Sequence, residues 1–143
     1  MPIIEAIYEK LGGRRVLRAD VTSEADLARV VSQRIPLRAL VGFRNSGFSE
    51  AEIGYFIIPA RTRRHRQRRR EPLNVEESDR LVRLTRVQAL AEDVFGDPEK
   101  ANRWLREGLG ILDGKTPLEV AQTEPGARVI EQILAKIDWG AAA

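Results

Sequence analysis

The sequence predicts a mainly α-helical protein, in which a helix-turn-helix bundle is followed by a small helical domain. Three segments begin with a polar residue followed three positions later by glutamate, a pattern that satisfies the free N–H groups of a first helical turn. These pairs are Ser49 with Glu52, Asn74 with Glu77, and Thr116 with Glu119. Prolines stand just inside two helix starts, at Pro117 after the Thr116 cap and at Pro98 in a further helix, where a missing donor costs nothing. Apolar residues between these signals recur at helical spacing.

The N-terminal third contains two predicted helices. Ile3–Leu11 is weakly amphipathic and is stopped by Gly12 and its glycine neighbour. Ser23 can cap a second helix that runs to about Gln33. Between them, Val16–Val21 has the composition of a short strand but contains two charged residues, so a strand and an irregular segment both fit.

The apolar residues before Ile35 are few, which predicts that a second copy of the chain stabilises this segment. We therefore expect residues 1–34 to be a dimerisation element and the protein to be a homodimer. The predicted domains that follow are a helix-turn-helix domain at 35–73 and a C-terminal domain at 74–143.

The helix-turn-helix begins with a helix from Pro36 that ends near Asn45. The capping box at Ser49 then opens a short helix to about Ile57, and Pro59 begins the next one. No apolar residue lies between Arg61 and Glu71, so this last helix is predicted to project outward. A protruding cationic helix after a short capped helix is typical of a recognition helix in a DNA major groove.

Seven arginines and no acidic residue lie between Arg61 and Arg70. The whole chain carries a net charge of only +3, so the remainder is net acidic and the patch is local. Clustered guanidinium groups neutralise phosphates and release counterions, which predicts a polyanion partner. The predicted DNA-binding residues are Arg61, Thr62, Arg63, Arg64, Arg66, Arg68, Arg69 and Arg70.

Most of these arginines are expected to contact the DNA backbone, because so many cannot all reach base edges. Arginine-rich helices also bind RNA and membrane surfaces, and a solvated arginine-rich loop is the non-functional alternative. The absence of an apolar face argues against a membrane surface.

The second half is a series of clearly bounded helices. A long helix follows Asn74 and stops at Gly96, and a short one follows Pro98. A glycine-containing loop at 108–114 leads to the capped helix after Thr116. A last helix starts at Thr123 and is expected to end at Gly140. Its predicted buried stripe is Val129, Ile130, Ile133, Leu134 and Ile137.

The composition argues against several functional classes. The chain has no cysteine, and its single histidine, His65, lies among the arginines. The acidic residues stand mostly at helix N-termini, where capping explains them, so no catalytic set, metal site or cofactor is expected. The longest apolar stretch, Ile53–Ala60, is too short to cross a bilayer, and the N-terminus does not resemble a secretory signal. We expect a cytoplasmic protein without a membrane partner.

From about Ile35 to Gly140 the sequence resembles the Xre/MbcA/ParS family of antitoxins. Four separate blocks fall in the order and at the spacing of that family. They are Glu77–Leu81, Val94–Ala101 with Trp104 and Leu105, Leu112–Glu119, and Thr123–Arg128. The family's Ile-Pro-Arg-Arg-Thr-Leu stretch corresponds to residues 58–63, where Ala60 replaces an arginine and Arg63 replaces an apolar residue.

The resemblance implies an antitoxin that pairs with an NAD-consuming toxin of the RES type. The C-terminal domain would bind the toxin and block its active site, and the helix-turn-helix would bind the promoter DNA of its own operon. Trp139 is expected to be exposed near the C-terminus, and an exposed indole indicates a contact with a partner protein. The predicted toxin-binding residues are Arg103, Trp104, Lys136, Asp138, Trp139, Gly140, Ala141, Ala142 and Ala143. The alternative is a stand-alone transcription regulator whose C-terminal half only dimerises.

Overall fold

A computed structural model of the chain describes residues 2–142, with the side chains of Ala141 and Ala142 left undescribed. These residues form ten α-helices and one 3₁₀ helix, and they include no strand. The α-helices are α1 (Ile3–Lys10), α2 (Gly13–Leu17), α3 (Glu24–Ser32), α4 (Ala39–Asn45), α5 (Glu50–Phe56), α6 (Ala60–Arg69), α7 (Val75–Phe95), α8 (Pro98–Leu105), α9 (Pro117–Val120) and α10 (Glu124–Ala142). The 3₁₀ helix is Gly110–Leu112. The predicted mainly α fold is confirmed.

The chain divides into two compact units, Met1–Thr85 and Arg86–Ala143. Helix α7 begins in the first unit and ends in the second. The assignment of functions to residues 1–34, 35–73 and 74–143 stays a prediction.

The N-terminal segment belongs to the core of the first unit. Ile7 and Leu11 are fully buried, and the Tyr8 hydroxyl donates a hydrogen bond to the carbonyl of Ala19 at 2.8 Å. Helix α4 approaches so closely that a Cβ added at Gly42 would lie 1.8 Å from the Lys10 carbonyl oxygen. The chain itself, rather than a second copy, therefore covers these apolar side chains.

The possible strand at residues 16–21 is not formed. Helix α2 takes up the first part of the segment, and Arg18 ends it in the left-handed conformation with φ of 54°. A left-handed residue interrupts extended backbone, so no strand can continue from it. Helix α4 likewise begins at Ala39 and not at Pro36. The carbonyl groups of residues 36–38 each accept a hydrogen bond from the N–H three positions later, which is the spacing of a turn and not of an α-helix.

Aromatic packing positions the helix-turn-helix within the first unit. Phe43 of α4 stacks on Phe48, with ring centroids 3.8 Å apart, and both are buried. Phe48 immediately precedes the Ser49 cap of α5, and α5 buries Ile53 and Phe56. The start and the inward face of α5 are thus both fixed by the core.

The second unit is assembled from capped helices. Asp97 caps α8 through the N–H of Glu99, and the Thr116–Glu119 capping box opens α9. A Cβ at Gly126 would lie 1.8 Å from the Val120 carbonyl oxygen, so the first turn of α10 needs glycine to approach the end of α9.

Two expectations for α10 were wrong. Val129 is 42 % exposed, while the buried residues of the helix include Ala127, Ile130 and Leu134. Val129 lies 100° from Ile130 around the helix, which carries it off the buried face. The helix also continues through Gly140 to Ala142. One glycine costs a helix only about 1 kcal/mol, and alanine is the strongest helix former.

Within residues 2–142, no helix combines the length and the apolar character that crossing a bilayer requires.

Two glycines in the interiors of short helices provide a matched test of the close approach of α4. Gly42→Ala should destabilise the protein by about 1–3 kcal/mol, because the new methyl group has no room beside Lys10. Gly54→Ala should instead be neutral or stabilise it by up to about 1 kcal/mol, because open space surrounds that position. Urea denaturation followed by circular dichroism measures both, and equal effects would contradict the proposed packing.

Candidate functional site

Helices α5 and α6 form a helix-turn-helix. The Ser49 hydroxyl accepts the N–H of Glu52, and the Glu52 carboxylate accepts the N–H of Ser49, so the predicted capping box is present. The connection between the helices is fixed by Ile57 and Ile58, which are both buried. Helix α6 follows Pro59 and has no buried residue, as its polar sequence predicts.

One partly buried ion pair fixes α6 to the start of α7. Arg66 donates two hydrogen bonds to the carboxylate of Glu77, and its Nη2 lies 3.3 Å from Oε2. Glu77 is only 5 % exposed. The same carboxylate accepts the N–H of Asn74 at 2.8 Å, and the Asn74 side chain accepts the N–H of Glu77 at 2.7 Å. Glu77 thus caps α7 and holds α6 at the same time.

The segment between α6 and α7 is also held by Arg34. Its guanidinium donates to the carbonyl groups of Leu73 at 2.9 Å and Pro72 at 3.1 Å. Arg34 adopts the left-handed conformation, with φ of 70°. The neighbouring Ile35 donates its N–H to the Ser78 hydroxyl and accepts the N–H of Leu73, both at 2.9 Å. The exit of the arginine helix is therefore an ordered turn.

A second carboxylate, that of Glu50, pairs with two arginines at the other end of the helix-turn-helix. Glu50, at the start of α5, accepts hydrogen bonds from Arg44 of α4 at 2.7 Å and from Arg63 of α6 at 2.8 Å. The hydrogen bond from Arg44, together with the charge of Arg63, lowers the pKa of Glu50 below its ordinary value. Three helices thus share one carboxylate.

These contacts divide the predicted DNA-binding residues into two groups. Arg63 and Arg66 face inward and pair with Glu50 and Glu77, and Arg69 pairs with Glu71 at 3.1 Å. Thr62 is half-buried on the inward side. The remaining arginines are exposed and form no ion pair with any residue between 2 and 142. They are Arg61, Arg64, Arg68 and Arg70.

The exposed arginines of α6 lie on one helical face. Positions 61, 64, 65 and 68 follow the spacing of a single side of a helix. His65 is exposed on this face, and its Nε2 lies 3.5 Å from a guanidinium nitrogen of Arg69. Arg70 ends the helix in the left-handed conformation. The result is an outward cationic surface, which we call the arginine face, defined by Arg61, Arg64, His65 and Arg68.

The predicted toxin-binding residues of the second unit lie on α8 and α10. Trp104 of α8 is half-buried against Phe95, with ring centroids 5.6 Å apart, and its neighbour Arg103 is exposed. On α10, Lys136, Asp138, Trp139 and Gly140 are exposed.

The tryptophan of α10 is the largest apolar side chain left in solvent by the second unit. Trp139 is 79 % exposed, and Ile111 of the 3₁₀ helix is 77 % exposed. The backbones of Ala141 and Ala142 continue α10, and Ala143 lies outside the described residues. The predicted role of these C-terminal residues stays a prediction.

Sequence reasoning missed the structural role of two charged residues. Glu77 was interpreted only as a cap, because its pairing with Arg66 joins positions eleven residues apart on different helices. Arg34 was given no role, because its acceptors are carbonyl groups thirty-nine and thirty-eight residues away. Neither contact has a local sequence signal.

Two family models match most of the chain. A model described as the antitoxin Xre-like helix-turn-helix domain matches residues 26–86. A model described as the antitoxin Xre/MbcA/ParS C-terminal toxin-binding domain matches residues 90–140.

Curated relatives carry related names. A protein named Antitoxin Xre from Pseudomonas putida is 43% identical over 84 residues, which cover 59% of this chain and 53% of the relative. An Antitoxin Xre from Yersinia enterocolitica is 31% identical over 84 residues, covering 58% and 57%. A Prs ADP-ribosylating antitoxin from a Sphingobium species is 32% identical over 80 residues, covering 50% of each chain. The matched region thus spans about half the length of each relative.

Two arginines of α6 should differ sharply in their effect on stability. Arg66→Ala leaves the buried Glu77 carboxylate without its cation, and we expect a loss of about 1–3 kcal/mol in the free energy of unfolding. Arg68→Ala, on the exposed face of the same helix, should change stability by less than about 0.5 kcal/mol. Urea midpoints of the two variants provide the comparison. Equal midpoints would show that the Arg66 pair does not stabilise the fold.

Proposed function

Since this chain belongs to the Xre/MbcA/ParS family of antitoxins, we propose that it binds DNA through its helix-turn-helix and neutralises a toxin through its second unit. The single observation that supports this proposal best is the arginine face. It is a helix without buried side chains, held to the core by ion pairs on one side and free to contact phosphates on the other.

The proposed DNA contact follows from the division of the arginines. Arg63 and Arg66 keep α6 in place through Glu50 and Glu77, and the free arginines supply the cations. A recognition helix that projects from the domain enters the major groove, while the helix before it crosses the backbone. Helix α5 has the position of that preceding helix. Arg69 would help the interaction from the flank, since its pair with Glu71 is exposed and weak.

The proposed toxin contact lies at the end of α10. An indole that is 79 % exposed is unfavourable in solvent and is a frequent anchor at protein interfaces. Lys136 and Trp139 lie three residues apart on one helical face, with Gly140 beside them. Arg103 and Trp104 of α8 form a second candidate contact.

The finer proposal concerns the toxin itself. We expect a RES-type toxin that consumes NAD, because the resemblance of the four sequence blocks implies such a partner. The name of the Sphingobium relative includes ADP-ribosylation, a chemistry for which NAD is the usual donor, and this supports the expectation. Trp139 would contact the rim of the toxin's cleft, and residues 140–143 would occupy its mouth and exclude NAD.

Autoregulation and dimerisation complete the proposal. The helix-turn-helix would bind the promoter of the operon that encodes the pair. DNA-binding dimers of this type contact two half-sites about one helical turn apart, so a homodimer would predict a palindromic operator. Residues 1–34 would provide the dimer contact through their exposed surface, since their apolar side chains Ile7 and Leu11 are already buried.

The salt dependence of DNA binding should distinguish the arginine face from other surface arginines. Replacing Arg68 by alanine, together with Arg70 just beyond it, removes two phosphate-competent charges, so the slope of log K against log salt should fall by about 2. Replacing Arg103 and Arg128 instead removes the same charge from the surface of the second unit and should leave the slope unchanged. Fluorescence anisotropy with a promoter duplex at several salt concentrations measures both. Equal slopes would contradict a DNA contact through α6.

Truncation of the C-terminus should separate DNA binding from toxin neutralisation. A chain that ends at Asp138 lacks Trp139 and Gly140, which are both exposed, and the three alanines that follow them, so its remaining helices and its DNA affinity should not change. Co-expressed with a RES-type toxin that the untruncated chain neutralises, it should fail to protect cells, and growth arrest with a fall in cellular NAD should follow.

The control for this truncation is Ile111→Ala, which removes an equally exposed apolar side chain far along the chain from α10. Full protection by the truncated chain would move the inhibitory contact to Arg103 and Trp104. A chain that binds DNA but protects against no toxin would favour a stand-alone transcription regulator.

A further inference from the structure

The arginine face offers few kinds of hydrogen-bond donor. Arg61, Arg64 and Arg68 occupy it with His65, while Gln67 lies to one side of the helix and α6 contains no asparagine. The bidentate partners of adenine in the major groove are asparagine and glutamine, whereas the arginine fork fits the O6 and N7 acceptors of guanine. Any base contact from this face is therefore directed to guanine.

Position along the helix separates the free arginines. Residues at the N-terminal end of a recognition helix contact base edges. Arg61 and Arg64 lie in the first turn and a half of α6, after Pro59. Arg68 lies seven residues beyond Arg61, about 10 Å along the axis, and Arg70 is at the C-terminal end. The last two therefore lie where the helix leaves the groove and the phosphates are nearer.

The spacing of the first two arginines fits neighbouring base pairs. Three residues of helix rise about 4.5 Å, and one base pair of duplex rises about 3.4 Å. Both side chains are exposed and have no ion pair within residues 2–142, so neither must break a contact to reach a base. Arg63 between them is held by Glu50 and cannot reach the same groove floor without losing that pair.

We propose that Arg61 and Arg64 determine DNA specificity by each recognising one guanine in neighbouring base pairs of the operator half-site, while Arg68 and Arg70 contact phosphates. This inference depends on the proposed DNA-binding function. It adds to that function the bases recognised and the residues that recognise them.

The test is a selection from randomised 24-base-pair duplexes with the full chain and three variants, Arg61→Gln, Arg64→Gln and Arg68→Gln. Glutamine has a helix propensity similar to that of arginine, and none of these side chains is buried, so the fold should be retained. Circular dichroism melting of each variant checks this.

The unsubstituted chain should enrich two close guanines in each half-site. Arg61→Gln should replace one of them by adenine, and Arg64→Gln the other, because glutamine pairs with the N6 and N7 groups of adenine. Arg68→Gln should keep the same consensus and bind all duplexes more weakly. A guanine consensus that survives both of the first two variants would overturn the proposal.

A chemical substitution in the selected duplex provides a second measurement. Replacing each of the two guanines by 7-deazaguanine removes the N7 acceptor and leaves base pairing intact. Affinity should fall about five-fold or more at each position for the unsubstituted chain and should not fall further for the matching glutamine variant. Unchanged affinity would contradict the guanine contact.

Failure of the proposed function would look different. If the unsubstituted chain showed no salt-dependent binding to any duplex at low salt, the DNA-binding proposal would be overturned, and the guanine contact with it. Salt-dependent binding without sequence enrichment would retain the DNA-binding function and overturn only the assignment of Arg61 and Arg64.

Discussion

The helix-turn-helix depends on the carboxylate of Glu77. Helix α6, in which six of ten residues are arginine, has no large apolar side chain with which to join a core, and its charges repel one another. The Glu77 carboxylate offsets both difficulties, since it accepts two hydrogen bonds from Arg66 and also caps α7 through the N–H of Asn74. Removing a cation from such a carboxylate leaves a poorly solvated charge, so the arrangement stabilises one position of α6 strongly.

The same logic explains an unusual residue in the middle of α6. Arg63 stands where the resembling family has an apolar residue, which suggests a loss of packing. The structure shows a half-buried guanidinium bound to Glu50, which Arg44 also binds. The hydrogen bond from Arg44, together with the charge of Arg63, lowers the pKa of Glu50. The stabilisation of the fold by these two ion pairs is therefore present above the ordinary pKa of glutamate and is lost as pH falls through the lowered pKa. An ion pair shared by three helices thus takes the place of an apolar contact.

Sequence reasoning predicted most helices because their signals are local. Caps such as Ser49 with Glu52 and Thr116 with Glu119 act within one turn, and the structure contains both. The errors arose where distant contacts or small energy differences decide. The expected end of α10 at Gly140 was wrong, because one glycine among helix formers costs little. At residues 16–21, where the sequence left a strand and an irregular segment open, the left-handed Arg18 excludes the strand. The positive charge of α6 could be predicted, but not which of its arginines pair with Glu50, Glu77 and Glu71.

That division of arginines has a consequence for recognition. A sequence with seven arginines in one window suggests binding through bulk charge, which carries no sequence information. Three of the seven are paired, and the four that are not lie at two ends of the helix, Arg61 and Arg64 at the start and Arg68 and Arg70 at the end. In a helix that enters a groove with its N-terminal end, that end lies near the base edges and the C-terminal end lies nearer the phosphates. In the proposed complex with DNA, the acidic residues of the first unit therefore do more than stabilise the fold, because by pairing with some arginines they leave a small number at positions where specificity can arise.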